Sequence, residues 1–489
     1  MFTSFRRRLW CGLLFVALLS VGAWRPTQAQ DLDDVTISGR VADTNNAAIA
    51  GAKVTAKQDE TGAERTVTTD GEGRFRIIEL KPGTYTLSIS ANGFAVNSLT
   101  NIKTISGQNV QLDVPLAPQG TIVNVEVSDD TAPAVDTTRT VVGGTVTERE
   151  IEGLPNLSRN PLDLIFTLGG TAEEPLSTRD LAEDRNRTPG NVVEEAGVFS
   201  LSGSPAFSNN ITIDGLDNND DRAARERFQP SLEAISEVQV ITNQFSAEYG
   251  RASGGRVNIT TRAGTNRYRG RLFYFFRDEA LNANTFRNNS LGLKRLPLQE
   301  NNPGFSFSGP LYLPYVGNKG PSLYNGHNRT FFSATFEYDD VFDTALTNIL
   351  VPLDRNPLFA LPAPTSGRTV TENPTGALTT PPLQVGIYNE LFTTPLRNKI
   401  FNTRVDHRFT DSHDISFGYQ LGRLRNARQV GISTTTRLSE ALTERTRNSD
   451  AFSVIDNFTV SPRTVNQIRS QYSRLTPAVS GATKTALWC

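Results

Sequence analysis

Three histidines, two acidic pairs and one run of Asp and Asn are where this sequence could do chemistry. His407 and His413 flank a turn and could share a metal, with His327 elsewhere in the same C-terminal half. Two polar side chains at neighbouring strand ends explain the pair more simply. Asp214, Asp217, Asn218, Asn219, Asp220 and Asp221 offer the oxygen ligands that calcium favours. The Gly and distal Glu spacing of an EF-hand is missing, so a solvated turn capping strand ends is the better expectation. Glu173-Glu174 and Glu194-Glu195 lie in polar sequence, where solvation explains them without glycosidase chemistry. Gly-x-Ser-x-Gly, His-Glu-x-x-His and phosphate-binding Gly-Lys-Ser/Thr motifs do not occur. No metal, cofactor or enzymatic activity is expected.

The elements around these residues are strands and turns. A length of 489 residues predicts about three structural units. With 37% hydrophobic and 20% charged residues, 38 Gly and 26 Pro, the chain is neither a coiled coil, a collagen, a simple disordered chain nor a helical membrane protein. Lys+Arg 49 against Asp+Glu 51 removes the basic excess that nucleic-acid binding requires, so no nucleic-acid partner is expected. Cys11 and Cys489 are too few for a disulfide scaffold or a Cys-based zinc site.

Arg6, Arg7 and Arg8 precede the apolar run Leu9–Ala23, and small or polar residues follow to Ala29. That order is a secretory signal peptide over residues 1–29, and the run is too short to span a bilayer. Cys11 lies too early in it for a lipoprotein anchor. The mature protein should begin near Gln30. Later apolar runs are shorter than a membrane helix needs, so any membrane entry is by strands.

Residues 35–118 alternate short β-prone runs with turn residues such as Pro82-Gly83 and Asn92-Gly93, the pattern of a β-sandwich. Gly39-x-Val41-x-Asp43, Gly51-Ala52-x-Val54, Thr69-Asp70-x-x-Gly73-x-Phe75, Leu80-x-Pro82-Gly83-x-Tyr85 and Gly93-Phe94 resemble the carboxypeptidase regulatory-like domain. The resemblance implies a transthyretin-like, carbohydrate-binding-like sandwich without catalytic residues. A passive spacer is the simpler expectation for it than sugar binding. Residues 119–140 hold an alternating strand and a polar, Pro-containing linker. Ile122, Val123, Val125 and Val127 could add to a partner's sheet edge or form the sandwich's last strand.

Residues 141–265 mix helical turns expected at 160–168 and 231–236 with strands at 210–214, 238–242 and 256–261, an α+β pattern. Ser208-Asn-Asn-Ile-Thr-Ile-Asp-Gly-Leu-Asp-Asn-Asn-Asp220 and Gln229 through Ile259 resemble the plug of Oar-like TonB-dependent outer-membrane transporters. The motif residues are Asp214, Gly215, Asp217, Asn218, Asn219, Asp220, Glu248, Tyr249, Gly250, Arg251, Gly254 and Gly255. Gly250, Gly254 and Gly255 allow tight turning and close backbone approach. Arg251, Arg256, Arg262, Arg267, Arg269 and Arg271 read as a solvated or salt-bridged face, which the resemblance places near the contact of plug and barrel.

In residues 266–489 the clearest segments alternate with period two. Thr403, Val405, His407 and Phe409 oppose Asn402, Arg404, Asp406 and Arg408, and Ile415, Phe417, Tyr419 and Leu421 oppose Ser416, Gly418 and Gln420. Soluble antiparallel sheets alternate in the same way. The resemblance implies the barrel reading, and 301–311 and 324–332 also look like the early barrel of the Oar-like branch. Plugged transporters have about 22 strands, whereas about six to eight can be placed here, with 282–329 and 341–399 expected to be mostly loop. The chain should therefore be the N-terminal part of such a protein: a fragment, a frameshifted product or a degenerate gene.

The expected fold is mainly β: an N-terminal transthyretin-like β-sandwich, an α+β plug domain and a partial transmembrane antiparallel β-barrel. The resemblance implies an outer-membrane receptor or transporter with its N-terminal module in the periplasm. Its partners would be a TonB-type energising protein, outer-membrane lipid and an unidentified ligand, a carbohydrate or a peptide. The alternative is a secreted or surface β-rich adhesion protein binding glycans through the first module.

Overall fold

The computed structural model describes residues 33–119, 123–126, 142–156, 158–173, 199–220, 225–243, 249–284, 286–290, 292, 294–317, 320–352, 366–372, 383–429, 443–461 and 464–481. The expected leader, Ile122, Val127, the linker 128–140, Asp221, Glu174, Glu194-Glu195 and Glu248 lie outside them.

The first domain is a two-sheet sandwich. Strands β1 (Val35–Asp43), β4 (Arg74–Leu80) and β7 (Asn109–Leu116) form one sheet, in the order β4-β1-β7. Strands β2 (Lys53–Gln58), β3 (Glu64–Thr68), β5 (Gly83–Ser90), β6 (Asn97–Thr104) and β8 (Val123–Glu126) form the other, in the order β3-β2-β5-β6-β8. Alternate residues face inward, so Val35, Ile37, Val41, Val54, Leu87 and Ile89 share one core. Each such burial stabilises by roughly 1.5–3 kcal/mol. Gly39 is dictated by crowding, because a Cβ there would lie 1.8 Å from the Leu112 carbonyl oxygen. Asp70 closes the β3–β4 turn, accepting from the Glu72 and Arg74 amides at 2.9 and 2.8 Å, and Gly73 supplies the positive φ of +73°.

The central domain is a five-stranded sheet, β13-β12-β15-β14-β9. Its strands are β9 (Val142–Val146), β12 (Asn209–Ile213), β13 (Leu216–Asp217), β14 (Ile235–Asn243) and β15 (Gly255–Thr261), beside a small pair, β10 (Thr171–Glu173) and β11 (Phe199–Leu201). Helix α1 (Glu148–Gly153) and 3₁₀ turns at Pro161–Thr167 and Leu232–Ala234 cover it. The expected helical stretch at 160–168 is thus a 3₁₀ turn, started by Pro161 and capped by Asn160, which accepts from the Leu162 amide at 3.0 Å. Covered on both faces, the sheet buries every residue of β12.

The C-terminal part is an open antiparallel sheet with seven strands among the described residues. In order they are β16 (Arg269–Asp278), β17 (Gln299–Pro310), β20 (Thr330–Phe342), β24 (Leu396–Thr410), β25 (His413–Gln429), β26 (Thr443–Ser461) and β27 (Thr464–Gly481). Short α2 (Phe286–Ser290) follows β16. The small pair β18 (Tyr312–Gly317) and β19 (Gly320–Asn325), and the three-stranded set β21 (Thr344–Pro352), β22 (Ser366–Glu372) and β23 (Leu383–Thr393), lie in the connections. The loop expectation for 282–329 and 341–399 is therefore corrected. Pro303 is what hides β17: proline has no N–H to donate, and the register with β20 passes from Asn301↔Asp340 to Gly304↔Glu337 without pairing Asn302 or Pro303.

One face of the sheet carries an aromatic ladder, with Phe305–Phe336 centroids 6.0 Å apart, Phe307–Phe332 at 5.4 Å and Phe401–Tyr419 at 6.5 Å. The other face is mainly polar, with Arg271, Glu337, Arg404 and Asp406 beside Phe273, Phe275 and Ile400, and it meets the central domain. The β24–β25 and β26–β27 turns lie at the end where the sandwich docks, while the long connections 343–395 and 430–442 leave the opposite end.

Candidate functional site

The residues of interest converge where sandwich, central domain and sheet meet. Arg159 leaves the central domain from a backbone with φ of +52° and donates to Glu337 of β20 at 2.9 and 3.2 Å. Its guanidinium carbon lies 4.2 Å from the Phe275 ring centroid and 4.9 Å from that of Phe273. Glu337 also accepts from Asn302 at 2.8 Å and from Ser231. Arg271 of β16 pairs with Glu233 of the central domain at 2.9 Å. On β24, Arg404 holds Asp406 at 2.9 Å and reaches Asp214 at 3.4 Å. On β26, Arg447 reaches Asp220 at 3.3 Å and the Glu226 carbonyl, and Arg227 donates to Ser473 of β27 at 2.5 Å. Ion pairs and side-chain hydrogen bonds thus tie the domain to the wall, and no strand of its sheet pairs with the seven-stranded sheet among the described residues.

A second junction includes the residues just before β1. Arg256, fully buried, lies 3.5 Å from the centroid of the Tyr249 ring and donates to Asp33 at 2.9 and 3.3 Å. Arg469 of β27 meets the same carboxylate at 2.8 Å, and the Tyr249 hydroxyl donates to it as well. Burial pushes the Asp33 carboxyl up, but Arg256 and Arg469 outweigh it and hold the group below its usual range. Beside it, Ser106 of the sandwich donates through its hydroxyl and amide to Glu237 of the central domain. Burial raises the Glu237 pKa, against those hydrogen bonds. Lys81 of the sandwich binds Asp414 at the β24–β25 turn at 2.8 Å and lies 3.7 Å from Asp406. Between the three bodies is a cavity of about 1080 Å³ walled by Lys81, Tyr85, Glu237, Arg262, Asp406 and Arg408 among others.

The structure brings the two halves of the predicted motif together. Asp214, at φ +50°, accepts from the Thr261 amide at 2.8 Å and hydroxyl at 2.6 Å. Gly215, at φ +74°, leaves room for Arg469, whose Nη1 would lie 2.3 Å from an added Cβ. Asp217 pairs with Arg227 at 2.6 Å and with Arg251 at 3.4 Å. Asn218 clasps the Phe228 amide and carbonyl at 2.9 and 2.8 Å, and Asn219 accepts from the Ile211 amide at 2.9 Å. The Gly250 carbonyl accepts from Asn210 at 2.8 Å. Gly254 and Gly255 fit against Asn209 and Leu201, leaving no space for a side chain.

The solvated-turn expectation for the Asp/Asn run is corrected, since Asn218 and Asp220 are buried: the Asn218 side chain bonds the Phe228 backbone in place of a strand partner, and Asp220 pairs with Arg447. His407 bonds Thr330 at 2.7 Å and His413 bonds Asp456 at 2.8 Å, with Phe409 between their rings. Among the described residues no cluster of three or more His, Cys, Asp or Glu could hold a metal. Val123 and Val125 lie in β8, parallel to β6 at the outer edge of the sandwich, in the register Asn97↔Val123 to Thr100↔Glu126. Asp33, Arg159, Glu337 and Glu237 escaped the sequence reading. Asp33 stands 223 positions from Arg256, and no local pattern links them.

This geometry is that of a β-rich protein with a small α+β domain held against the polar side of an open antiparallel sheet. Residues 36–117 match the carboxypeptidase regulatory-like domain and residues 260–487 an outer membrane beta barrel domain. The chain therefore joins these two domains, and its barrel domain places it in the outer membrane. It is 30% identical over 239 residues, 49% of the chain and 21% of the relative, to the TonB-dependent transporter Oar of Myxococcus xanthus. Among solved structures it is similar to the siderophore receptor PirA from Acinetobacter baumannii, at 15% identity and a TM-score of 0.41, covering 68% of this chain and 40% of that one. It is also similar to the ferric enterobactin receptor PfeA from Pseudomonas aeruginosa, at 14% identity and a TM-score of 0.41, covering 69% and 42%. The chain spans 21% of the length of the curated relative.

Proposed function

We propose that the chain works as a TonB-dependent outer-membrane receptor or transporter, with residues 141–265 as its plug and Ile122, Val123, Val125 and Val127 as the strand a TonB-type protein captures. The observation that carries this reading is the plug's attachment. Side chains tie it to β20, β24, β26 and β27, so it can shift as a unit while every backbone ladder stays intact. The relative's own name is that of a TonB-dependent transporter. Short turns mark the periplasmic end of such barrels and long loops the outer end. The sandwich, docked on the short turns through Lys81 and Asp414, then sits in the periplasm. Ligand is met on the long-loop side.

Strand β8 suits capture. It is held by four parallel residue pairs with β6, and among the described residues it is the edge strand of its sheet. Each net backbone hydrogen bond stabilises by only about 0.5–1.5 kcal/mol, so a partner strand offering fresh donors replaces what β8 gives up. Tension on residues 120–141 then reaches the plug through β9, the first strand of its sheet.

The test compares residues 30–140 in wild-type, Val125→Ala and Val125→Pro forms for binding to a purified TonB C-terminal domain. Proline removes a donor and fixes φ, so Val125→Pro should bind at least about 10-fold more weakly while Val125→Ala stays near wild type. Equal affinities for all three, or no binding by any, would remove this strand from the mechanism.

A further inference from the structure

The β18–β19 hairpin does not belong to the barrel wall. It leaves the short-turn end between β17 and β20 and, among the described residues, its two strands pair with each other alone, from Tyr312↔Asn325 to Gly317↔Gly320. An isolated two-stranded hairpin is marginal in water, so its persistence requires something to cover it. Its base is fastened to the wall: the Leu311 amide donates to the Thr330 carbonyl at 2.8 Å, and the Tyr324 hydroxyl bonds the Thr330 hydroxyl at 2.5 Å.

Register decides which way it faces. Residues directly opposite, and residues two apart, share a face, so Tyr312, Pro314 and Leu323 lie together. The Tyr312 ring is 6.4 Å from that of Tyr268, which stacks on Phe307 at 5.7 Å with an interplanar angle of 2°. Tyr268 and Phe307 belong to the outward ladder, since Phe273 and Phe275 on the opposite face of β16 lie beneath the plug's Arg159. The hairpin face is therefore continuous with the lipid-facing surface and extends it past the strand ends. Apart from Asn325, directly opposite Tyr312, it is also apolar, and it is exposed, with Leu323 60% and Tyr312 36% accessible. Residues 311–325 carry one charged residue, Lys319, in the sequence.

We propose that this hairpin is a membrane foot, laid by its Tyr312–Leu323 face into the headgroup and acyl boundary of the periplasmic leaflet of the outer membrane. The partner is phospholipid. Aromatic and aliphatic side chains on an otherwise uncharged face, with the Tyr312 hydroxyl reaching the headgroups, are the chemistry that such a boundary accepts at a depth of about 5–10 Å. The inference rests on the outer-membrane barrel domain and not on TonB coupling. The foot would fix the height of the strand ends beside which the sandwich docks.

Brominated-lipid quenching tests it on the full chain. Trp10, Trp24 and Trp488 are replaced by Phe, and single tryptophans are introduced as Leu323→Trp on the foot, Leu272→Trp on the outward face of β16 and Val96→Trp on the sandwich. In vesicles of phosphatidylcholine brominated near the headgroup, Leu323→Trp emission should fall to about half or less, as an interfacial depth requires, while Val96→Trp stays unquenched. Quenching of Leu272→Trp verifies insertion. Tyr312→Trp, on the same face, replaces Leu323→Trp should that variant fail to fold. Foot quenching no greater than that of Val96→Trp would overturn the proposal. So would a blue shift that depends on protein concentration in detergent, which would mean that a second copy of the chain covers this face.

Discussion

Replacing Asp33 by Asn tests the junction that joins all three bodies. The substitution keeps shape and one acceptor but removes the charge shared by Arg256 at 2.9 Å and Arg469 at 2.8 Å. Arg256 is fully buried against Tyr249, so no water can replace the lost carboxylate. Removing one partner of a buried pair costs about 3–5 kcal/mol, and the hydrogen bonds that Asn retains place this case near about 3. At about 2–4 °C per kcal/mol, the melting temperature should fall by about 6–12 °C. The pH dependence has a definite sign. The folded pKa of Asp33 lies below the unfolded value near 3.8, so its stabilisation is fully present above that value and is lost as pH falls through the folded pKa. The gap between wild type and Asp33→Asn should therefore be constant at mildly acidic and neutral pH and close in stronger acid. The assay is thermal unfolding of the full chain in detergent micelles, followed by circular dichroism over that range. A melting temperature within about 1 °C of wild type, or a gap that persists in strong acid, would refute the ionic account of this junction.

Gly255→Ala puts a Cβ 2.6 Å from Leu201 Cδ1 and 2.7 Å from the Ile241 carbonyl oxygen, so it should cost about 1–3 kcal/mol, read as a lower denaturation midpoint of the full chain. Residues 33–119, with a core of their own centred on Ile37, Val54, Leu87 and Ile89, should unfold cooperatively when expressed alone, giving a β-type circular dichroism spectrum and a single thermal transition.

The sandwich was legible because each strand has one buried face and its turns need particular residues. Asp70, Gly73 and the Lys81-Pro82-Gly83 turn that precedes Tyr85 announce their geometry locally. β24 and β25 were legible for the same reason, with Val405 and Phe417 paired on one face and Asp406 and Ser416 on the other. β17 was not, because Asn-Asn-Pro-Gly in its middle reads as a turn until neighbours on both sides supply its partners. The motif around Asp214 and Gly255 was visible as a pattern of residues, but its burial was not, since Asn218 looks solvated until Phe228 is folded against it. Asp33 and Glu337 act through partners on other domains, and a charge carries no record in the sequence of which distant charge it will meet.

Whether the chain is embedded in the outer membrane by its strands is decided by fractionating cells that express the full sequence. Membranes separated by density and washed with high salt and carbonate are probed for the chain beside an outer-membrane marker. The chain should stay with the outer membrane through both washes. Recovery in the soluble fraction, or release by salt alone, would contradict it and favour a secreted β-rich adhesion protein.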